Sequence, residues 1–509
     1  MRSKTIRVAV SALAVGTVGV LLAGCGAGDS PAEGEFTVTM AALQPAPSFD
    51  PAVINNGPLY NYAASAYETL VFPEADGTLT PGIATEWEYI DNTTLTMDIR
   101  DDVVFVDGTG LDADLVVANI ERYRTTPGPY QSRMNSIDTV TAVDEDSIEF
   151  ILNTPDLSLP QAFSLTPGMM VSQAAIDDPS ILQSETAGSG PWMLDEYIDG
   201  SEYTYVRNPE YSGPLDVEPD VLRYVVITDL TAQLNALLAG DVDITVAQWT
   251  QRETAEQQGM AAVGGESNVG GLWLMDREGE VVPALGDVRV RQAINHAIDR
   301  ESLGEALWST FQRPTAQVFG TSTNAYDESL DDYYEYDPDR ARELLAEAGY
   351  ADGFDLPILS RTTFGDSARL EATLPFLQEV GINATIVDRT NDYYDAMAAK
   401  EFAAAQSQQN GVTDAYVGAS NLLVANSQVN PFGVTDPELD ALMADAAAEL
   451  DADAAAEKWQ AVSAWVVENA WFAPISYYHT HNLYNPETLA GVELSAGQTV
   501  ALPFTWVRP

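Results

Sequence analysis

Alternation of apolar and polar side chains marks strands at several points along the chain. Leu95, Met97 and Ile99 alternate with polar residues, as do Ile148, Phe150 and Leu152. A period of two puts one face of each segment against a core. Asp91-Asn92, just ahead of the first segment, predicts a hairpin turn. Elsewhere the period is helical. Asp337-Pro338 supplies a cap and a first-turn proline, Ala341, Leu344, Leu345 and Ala348 share one face, and Gly349 closes the run. Between Asp287 and Leu303, the residues Val290, Ala293, Ile294, Ala297 and Ile298 form one apolar stripe, which predicts a helix over that span. Asp112 caps a helix carrying Val116, Ile120 and Tyr123 on one side. Leu234, Leu237 and Leu238 precede Gly240, and Val242-Asp243-Ile244 then reads as a strand. Strands and helices interleaved in this way predict α/β layers.

The first 25 residues follow a different logic. Arg2, Lys4 and Arg7 form a positive head, and an apolar run extends from Val8 to Ala23. That run is shorter than the ~20 residues a helix needs to span a bilayer. Leu22-Ala23-Gly24-Cys25 resembles a lipobox, in which small residues precede a cysteine that is lipidated after cleavage. Residues 1–24 are therefore expected to be a signal peptide, with Cys25 the lipidation site and residues 25–34 a flexible tether. Cys25 is the single cysteine. A disulfide scaffold is thereby excluded, and the expected location is extracytoplasmic, lipid-anchored to the cell membrane.

Length and charge narrow the class. A chain of 509 residues exceeds what one hydrophobic core usually supports, so two or three domains are expected. With 23 Lys and Arg against 77 Asp and Glu, the formal net charge is −54, which repels phosphate and excludes a nucleic-acid partner. Nine Trp, 22 Tyr and 15 Phe give enough aromatic surface for folded cores.

Several blocks occur in a telling order. Asp50-Pro51 is followed by Tyr67-Glu68-Thr69-Leu70-Val71, Asp76-Gly77 and Pro81-Gly82-Ile83-Ala84-Thr85-Glu86-Trp87. Next come Ile99-Arg100-Asp101-Asp102-Val103-Val104-Phe105-Val106-Asp107-Gly108, then Ala113-Asp114-Leu115-Val116 with Glu121-Arg122. Gly188-Ser189-Gly190-Pro191-Trp192, Arg207-Asn208-Pro209-Glu210-Tyr211, Asp287-Val288-Arg289-Val290-Arg291-Gln292-Ala293, Ala297-Ile298-Asp299-Arg300 and Leu344-Leu345-Ala346-Glu347-Ala348-Gly349-Tyr350 continue the series. Each block is weak alone. The ordered set, from about residue 36 to 480, resembles the extracytoplasmic solute-binding proteins of ATP-binding-cassette importers, in the oligopeptide, dipeptide and nickel-binding group (family 5).

The resemblance implies an α/β, bilobal periplasmic-binding-protein-like fold with an extra small domain in the first lobe and hinge strands between the lobes. Lobe I is expected at 35–65, 185–268 and 482–509, the extra domain at 66–184, and lobe II at 269–481. It implies lobe closure over a small ligand, peptide-like by preference, and delivery to a transmembrane permease by a monomer held at the membrane. It implies no cofactor, no metal and no enzymatic activity.

The departures matter as much. In peptide-binding members an acid in a Gly-Trp-x-x-Asp-like stretch pairs with the ligand's amine. The matching stretch here, Ala405 to Asp414, lacks the Trp, places Gln408, Gln409 and Asn410 near its middle, and carries its only acid, Asp414, late. A buried ammonium needs a counter-charge, so either Asp414 is recruited or the ligand lacks the amine. Arg361 lies near where dipeptide binders present an arginine to the ligand carboxylate, and its guanidinium fork suits that role. A surface ion pair is the plainer reading of Arg361. Trp249 and Trp273 flank the segment expected to pass between lobes, and serve as candidate aromatic walls or as core. Asn55, Asn56 and Tyr60 lie where relatives aim a loop at the cleft, though Asn55-Asn56-Gly57-Pro58 is equally good turn chemistry.

Other chemistry is thin. His479-Thr480-His481 would put two imidazoles on one face of a strand, but two histidines are not a metal site. Gly188-Ser189-Gly190 is no nucleophile elbow, and no phosphate loop or calcium loop occurs. Two alternatives to a peptide receptor remain at this point. One is the same fold binding an oligosaccharide, an opine-like acid or a metal chelate; the other is a surface chaperone or signalling lipoprotein without a transported solute.

Overall fold

The computed structural model describes residues 34–54, 57, 59–74, 77–307, 313–361, 366–390, 392–410, 413–425, 427–494 and 501–509. The signal-peptide, lipidation and tether assignments, Cys25 included, lie outside the described residues except at Gly34, as do Asn55 and Asn56.

One ten-stranded sheet runs through the molecule. Its order is Ile382–Asp388, Phe354–Ser360, Ala404–Asn410, Ala261–Leu274, Phe472–Tyr484, Ile244–Ala247, Thr37–Ala42, Val221–Val226, Glu202–Arg207, Trp192–Ile198. The first three strands are mutually parallel. Thr37–Ala42 runs parallel to both its neighbours, and the remaining pairs are antiparallel. Ala261–Leu274 and Phe472–Tyr484 are the two long strands, 14 and 13 residues, paired over most of their length. At one end Tyr484 to His481 also pair with Ile244–Ala247. At the other, Leu272 and Trp273 enter two separate hydrophobic cores. These two strands therefore connect one lobe to the other, as hinge strands do.

Period-two strands become a second sheet, ordered Ala84–Asp91, Thr94–Ile99, Ser147–Leu152, Ile137–Ala142. The alternating residues Leu95, Met97, Ile148 and Phe150 are buried together in one core with Ile120 and Tyr123 of the helix Ala113–Thr125. Asp112 caps that helix by accepting from the Leu115 amide at 2.8 Å. An ion pair from Arg122 to Asp50 ties this unit to the first lobe, and within its expected bounds Arg100 pairs with the buried Glu68 at 3.0 Å. Burial raises the Glu68 carboxyl to about 7 despite that arginine. Trp192 anchors the neighbouring strand, donating its indole N–H to the Pro219 carbonyl at 2.9 Å. Gly190 is there because of close approach: a Cβ would come within 2.4 Å of the Ala66 carbonyl carbon.

The helix capped by Asp337 forms over Pro338–Glu347, and Gly349 follows it at φ 89°. The single helix expected over Asp287 to Leu303 is instead two, Val288–Ala297 and Arg300–Leu307. Ile298 is extended, and Asp299 starts the second helix by accepting from the Ser302 amide at 2.9 Å and its hydroxyl at 2.6 Å. The apolar stripe runs through the break because both helices cover the same core, so periodicity alone could not reveal it.

Candidate functional site

In open α/β sheets ligands are taken up beyond the carboxyl ends of parallel strands. The parallel neighbours Phe354–Ser360 and Ala404–Asn410 have such ends at different levels, since Ile358 lies opposite Ala404 and the second strand runs on past Ser360. Phe354–Ser360 leads directly into Arg361, and its neighbour Ala404–Asn410 leads towards Asp414.

Arg361 is half-buried. Its Nη1 donates to the Tyr394 hydroxyl oxygen at 2.7 Å, and the guanidinium lies 4.9 Å from the Tyr393 ring centre and 5.5 Å from that of Tyr394. Both tyrosines open the short helix Tyr393–Ala398. Tyr393 is itself fixed by donating its hydroxyl to the Gln406 carbonyl at 2.7 Å. Aromatic contact with the two rings thus helps position the guanidinium plane. Sequence reasoning missed the two tyrosines; the only signal was a tandem aromatic pair after the Ile382–Asp388 strand.

Asp414 caps the helix Ala415–Leu422, accepting from the Val417 amide at 3.1 Å. A helix N-terminus favours a carboxylate. Even so, burial pushes this carboxyl up to about 6, aided by the Asp156 carboxylate and opposed by the Val417 and Tyr416 amides and by Arg133. Asp156 and Arg133 belong to the small four-stranded unit. Asp156 accepts from Ser136 and Ser158 hydroxyls at 2.6 Å each, and burial raises it as well. Burial likewise lowers Arg133, whose guanidinium stacks 5.1 Å from the Tyr130 ring. Asn92 of the same unit donates to the Ala448 carbonyl at 3.4 Å. The cap of one lobe therefore faces a desolvated, mixed-charge surface of the other. Neither Arg133 nor Asp156 is marked out by the sequence pattern.

The remaining candidates are placed as follows. Gln408 is half-buried on Ala404–Asn410; the side chains of Gln409 and Asn410 lie outside the described residues. Trp249 begins the helix Trp249–Gln257, and its side chain also lies outside them. Trp273 is fully buried, its ring 5.3 Å from Phe472 in an edge-on contact, so it is core and not a cleft wall. Tyr60 is 2% exposed and packs in the first lobe's core. His479 and His481 do share a strand face, ring centres 5.9 Å apart. Among the described residues no group of three or more His, Cys, Asp or Glu could hold a metal ion. No helix among them is long and apolar enough to cross a membrane. A separate open groove of about 470 Å³ follows the Ala84–Asp91 and Thr94–Ile99 strands, lined by Glu86, Trp87, Glu88 and Asp98 among others; none of the candidates above lines it.

Two lobes joined by paired long strands define a bilobal binding-protein fold. The family model of bacterial extracellular solute-binding proteins, family 5 Middle, matches residues 78–430, and the chain belongs to that family. It is 25% identical over 452 residues to the heme-binding protein A of Haemophilus influenzae, covering 78% of this chain and 79% of that one. It is 24% identical over 379 residues to the dipeptide-binding protein of Escherichia coli, covering 67% and 69%. Among solved structures, the periplasmic binding protein DppA of Helicobacter pylori, in complex with the peptide STSA, superposes with a TM-score of 0.80 at 20% identity, over 93% of this chain and 98% of that one.

Proposed function

We propose that this protein captures a peptide or peptide-like solute between its lobes and delivers it to the permease of an ATP-binding-cassette importer. The carrying observation is Arg361, held by Tyr394 at the carboxyl end of Phe354–Ser360; Asp414 caps the helix that follows the neighbouring strand Ala404–Asn410. One presents a fork for a carboxylate, the other a desolvated carboxylate for an ammonium. A zwitterionic ligand satisfies both, and its binding favours the closed form by differential affinity. Similarity to the dipeptide-binding protein of Escherichia coli supports this ligand class. Cys25, acylated, would tether a monomer outside the cytoplasm, and the lobe limits expected from the sequence would be the closing bodies. No covalent step is involved.

The test is isothermal calorimetry of the purified protein against di- and tripeptides, their carboxy-amidated and N-acetylated forms, oligosaccharides and opine-like acids. Binding of free peptides, weakened by either end block, is the expected result. Binding confined to sugars or to amine-free acids would overturn the peptide assignment.

A further inference from the structure

Opposite Asp414, the small four-stranded unit presents a guanidinium with no hydrogen-bond partner among the described residues. Arg133 stands on the short turn Gln131–Met134. That turn is fixed at both ends: Met134 is buried in the unit's core, and Gln131 donates its side-chain amide to the Arg124 carbonyl at 2.7 Å. The Arg133 guanidinium lies 5.1 Å from the Tyr130 ring centre, and its side chain makes no hydrogen bond or ion pair with the described residues. Two carboxylates are within its electrostatic reach, Asp156 of its own unit and Asp414 of the other lobe. Neither takes its N–H groups. Asp156 accepts from the Ser136 and Ser158 hydroxyls and the Ser158 amide, and Asp414 accepts from the Val417 amide.

Arg133 and Asp414 each keep part of their surface in contact with solvent, although the protein around them desolvates both. They therefore line a narrow gap between the small unit and the second lobe. Beside them the two bodies touch, where Tyr416 meets Thr154 and Asn92 donates to the Ala448 carbonyl at 3.4 Å. A guanidinium carries five N–H donors and no acceptor. Excluding water from it without supplying acceptors is unfavourable. The buried arginines of the second lobe avoid this: Arg291 donates to three carbonyls, and Arg300 to three carbonyls and the Asn295 side chain. Arg133 has no such set.

Charge decides which acceptor suits it. Asp156, Asp414 and Arg133, all ionised, sum to one net negative charge. An ammonium held by Asp414 restores the balance, and an added carboxylate would upset it again. We propose that Arg133 is a specificity-determining residue of the cleft, donating to the uncharged carbonyl oxygen next to the ligand's free amine while Asp414 holds the amine itself. In a peptide a single Cα separates these two groups, so one gap lined from both sides accommodates them. Contacts from two bodies also make the ligand part of what holds the cleft shut. This inference rests on the peptide reading above.

Trialanine and an isostere with a trans alkene in place of its first amide, which removes that carbonyl oxygen, provide the test by calorimetry. Wild type should prefer trialanine, and Arg133→Met should reduce the preference about tenfold, since a hydrogen bond to a charged group is lost. An alkene at the second amide, away from Arg133, should be discriminated equally by both proteins. Should Arg133→Met fail to fold, Arg133→Gln takes its place. If the variant keeps the full preference at the first amide, Arg133 only balances Asp156 and Asp414, and the proposal falls. If wild type prefers a tripeptide beginning with glutamate over trialanine and Arg133→Met abolishes that preference, Arg133 reads a carboxylate and the carbonyl assignment is overturned. If wild type binds no peptide, the peptide reading itself has failed, a result distinguishable from both.

Discussion

The hydroxyl oxygen of Tyr394 accepts a hydrogen bond from Arg361 at 2.7 Å, at the point where a parallel strand ends. That bond, and the Tyr393 ring against the same guanidinium, position the fork. Arg361→Ala should therefore weaken carboxylate-bearing peptides by about 2 kcal/mol, a fall of roughly thirtyfold. Its melting temperature should barely move, because the side chain is half-buried and outside the main cores. Arg361→Lys should not restore binding, since an ammonium offers no planar fork. Calorimetry on the three proteins decides it: equal affinities would remove Arg361 from the site.

Asp414 offers a test with an opposite pH sign from most carboxylates. Its folded value of about 6 lies above its ordinary 3.8, so between these values the native state holds more protons than the unfolded chain. Its contribution to stability is greatest at low pH and is lost as pH rises through about 6. Asp414→Asn keeps a good cap and removes the desolvated charge. Relative to wild type, the variant should melt higher at pH 7.5 than at pH 4, while losing affinity for ligands with a free amine. Thermal melts at the two pH values check the sign; a variant equally displaced at both would refute the burial argument.

The ordered blocks that made the fold legible turn out to mark structural joints rather than the candidate site. Asp50 and Arg122 form an ion pair that docks the small unit, and Glu68 and Arg100 form another within its expected bounds. Gly190 and Trp192 pack the strand beside it. Arg291 and Arg300 are buried and donate chiefly to backbone carbonyls, including those of Ala470, Asn469 and Pro474. Such contacts depend on the shared backbone, so the same residue types serve whatever the ligand. Arg361 and Asp414 are candidates because the family resemblance points to their positions. Tyr393 and Tyr394 could not be found in it, because their meaning comes from a contact with Arg361 more than thirty residues away, which no local pattern records.

Trp273 separates core from cleft. It is fully buried against Phe472, and Leu359, Met397 and Trp459 belong to the same cluster. Trp273→Ala should cost about 3–5 kcal/mol of stability through lost burial and the cavity left behind. Trp273→Phe should cost less, since most of the aromatic volume is retained. Urea denaturation measures both, and peptide affinity of the folded fraction should be unchanged. A large loss of affinity at full stability would return this residue to the cleft.

His481 lies on the second hinge strand, fully buried, paired in register with Gly264 on one side and Ala247 on the other. Burial lowers its imidazole to about 4, with the positive charges of Arg252 and His479 acting the same way and Glu256 opposing. The folded value is below the ordinary 6.5, so between the two the unfolded chain takes up a proton that the native hinge refuses. Stability is therefore full above about 6.5 and is lost as pH falls towards 4, the reverse of the Asp414 case. His481→Gln removes this linkage while keeping a polar side chain of similar reach. Compared with wild type, the variant should gain about 2 °C or more in melting temperature between pH 7 and pH 4.5, whatever its offset at neutral pH. Because the hinge connects both lobes, the same comparison should be made with ligand bound. If the imidazole titrates only on unfolding, the pH-dependent difference survives saturation with peptide. A difference abolished by ligand would mean that His481 becomes accessible when the lobes open, and that its proton reports the opening motion itself.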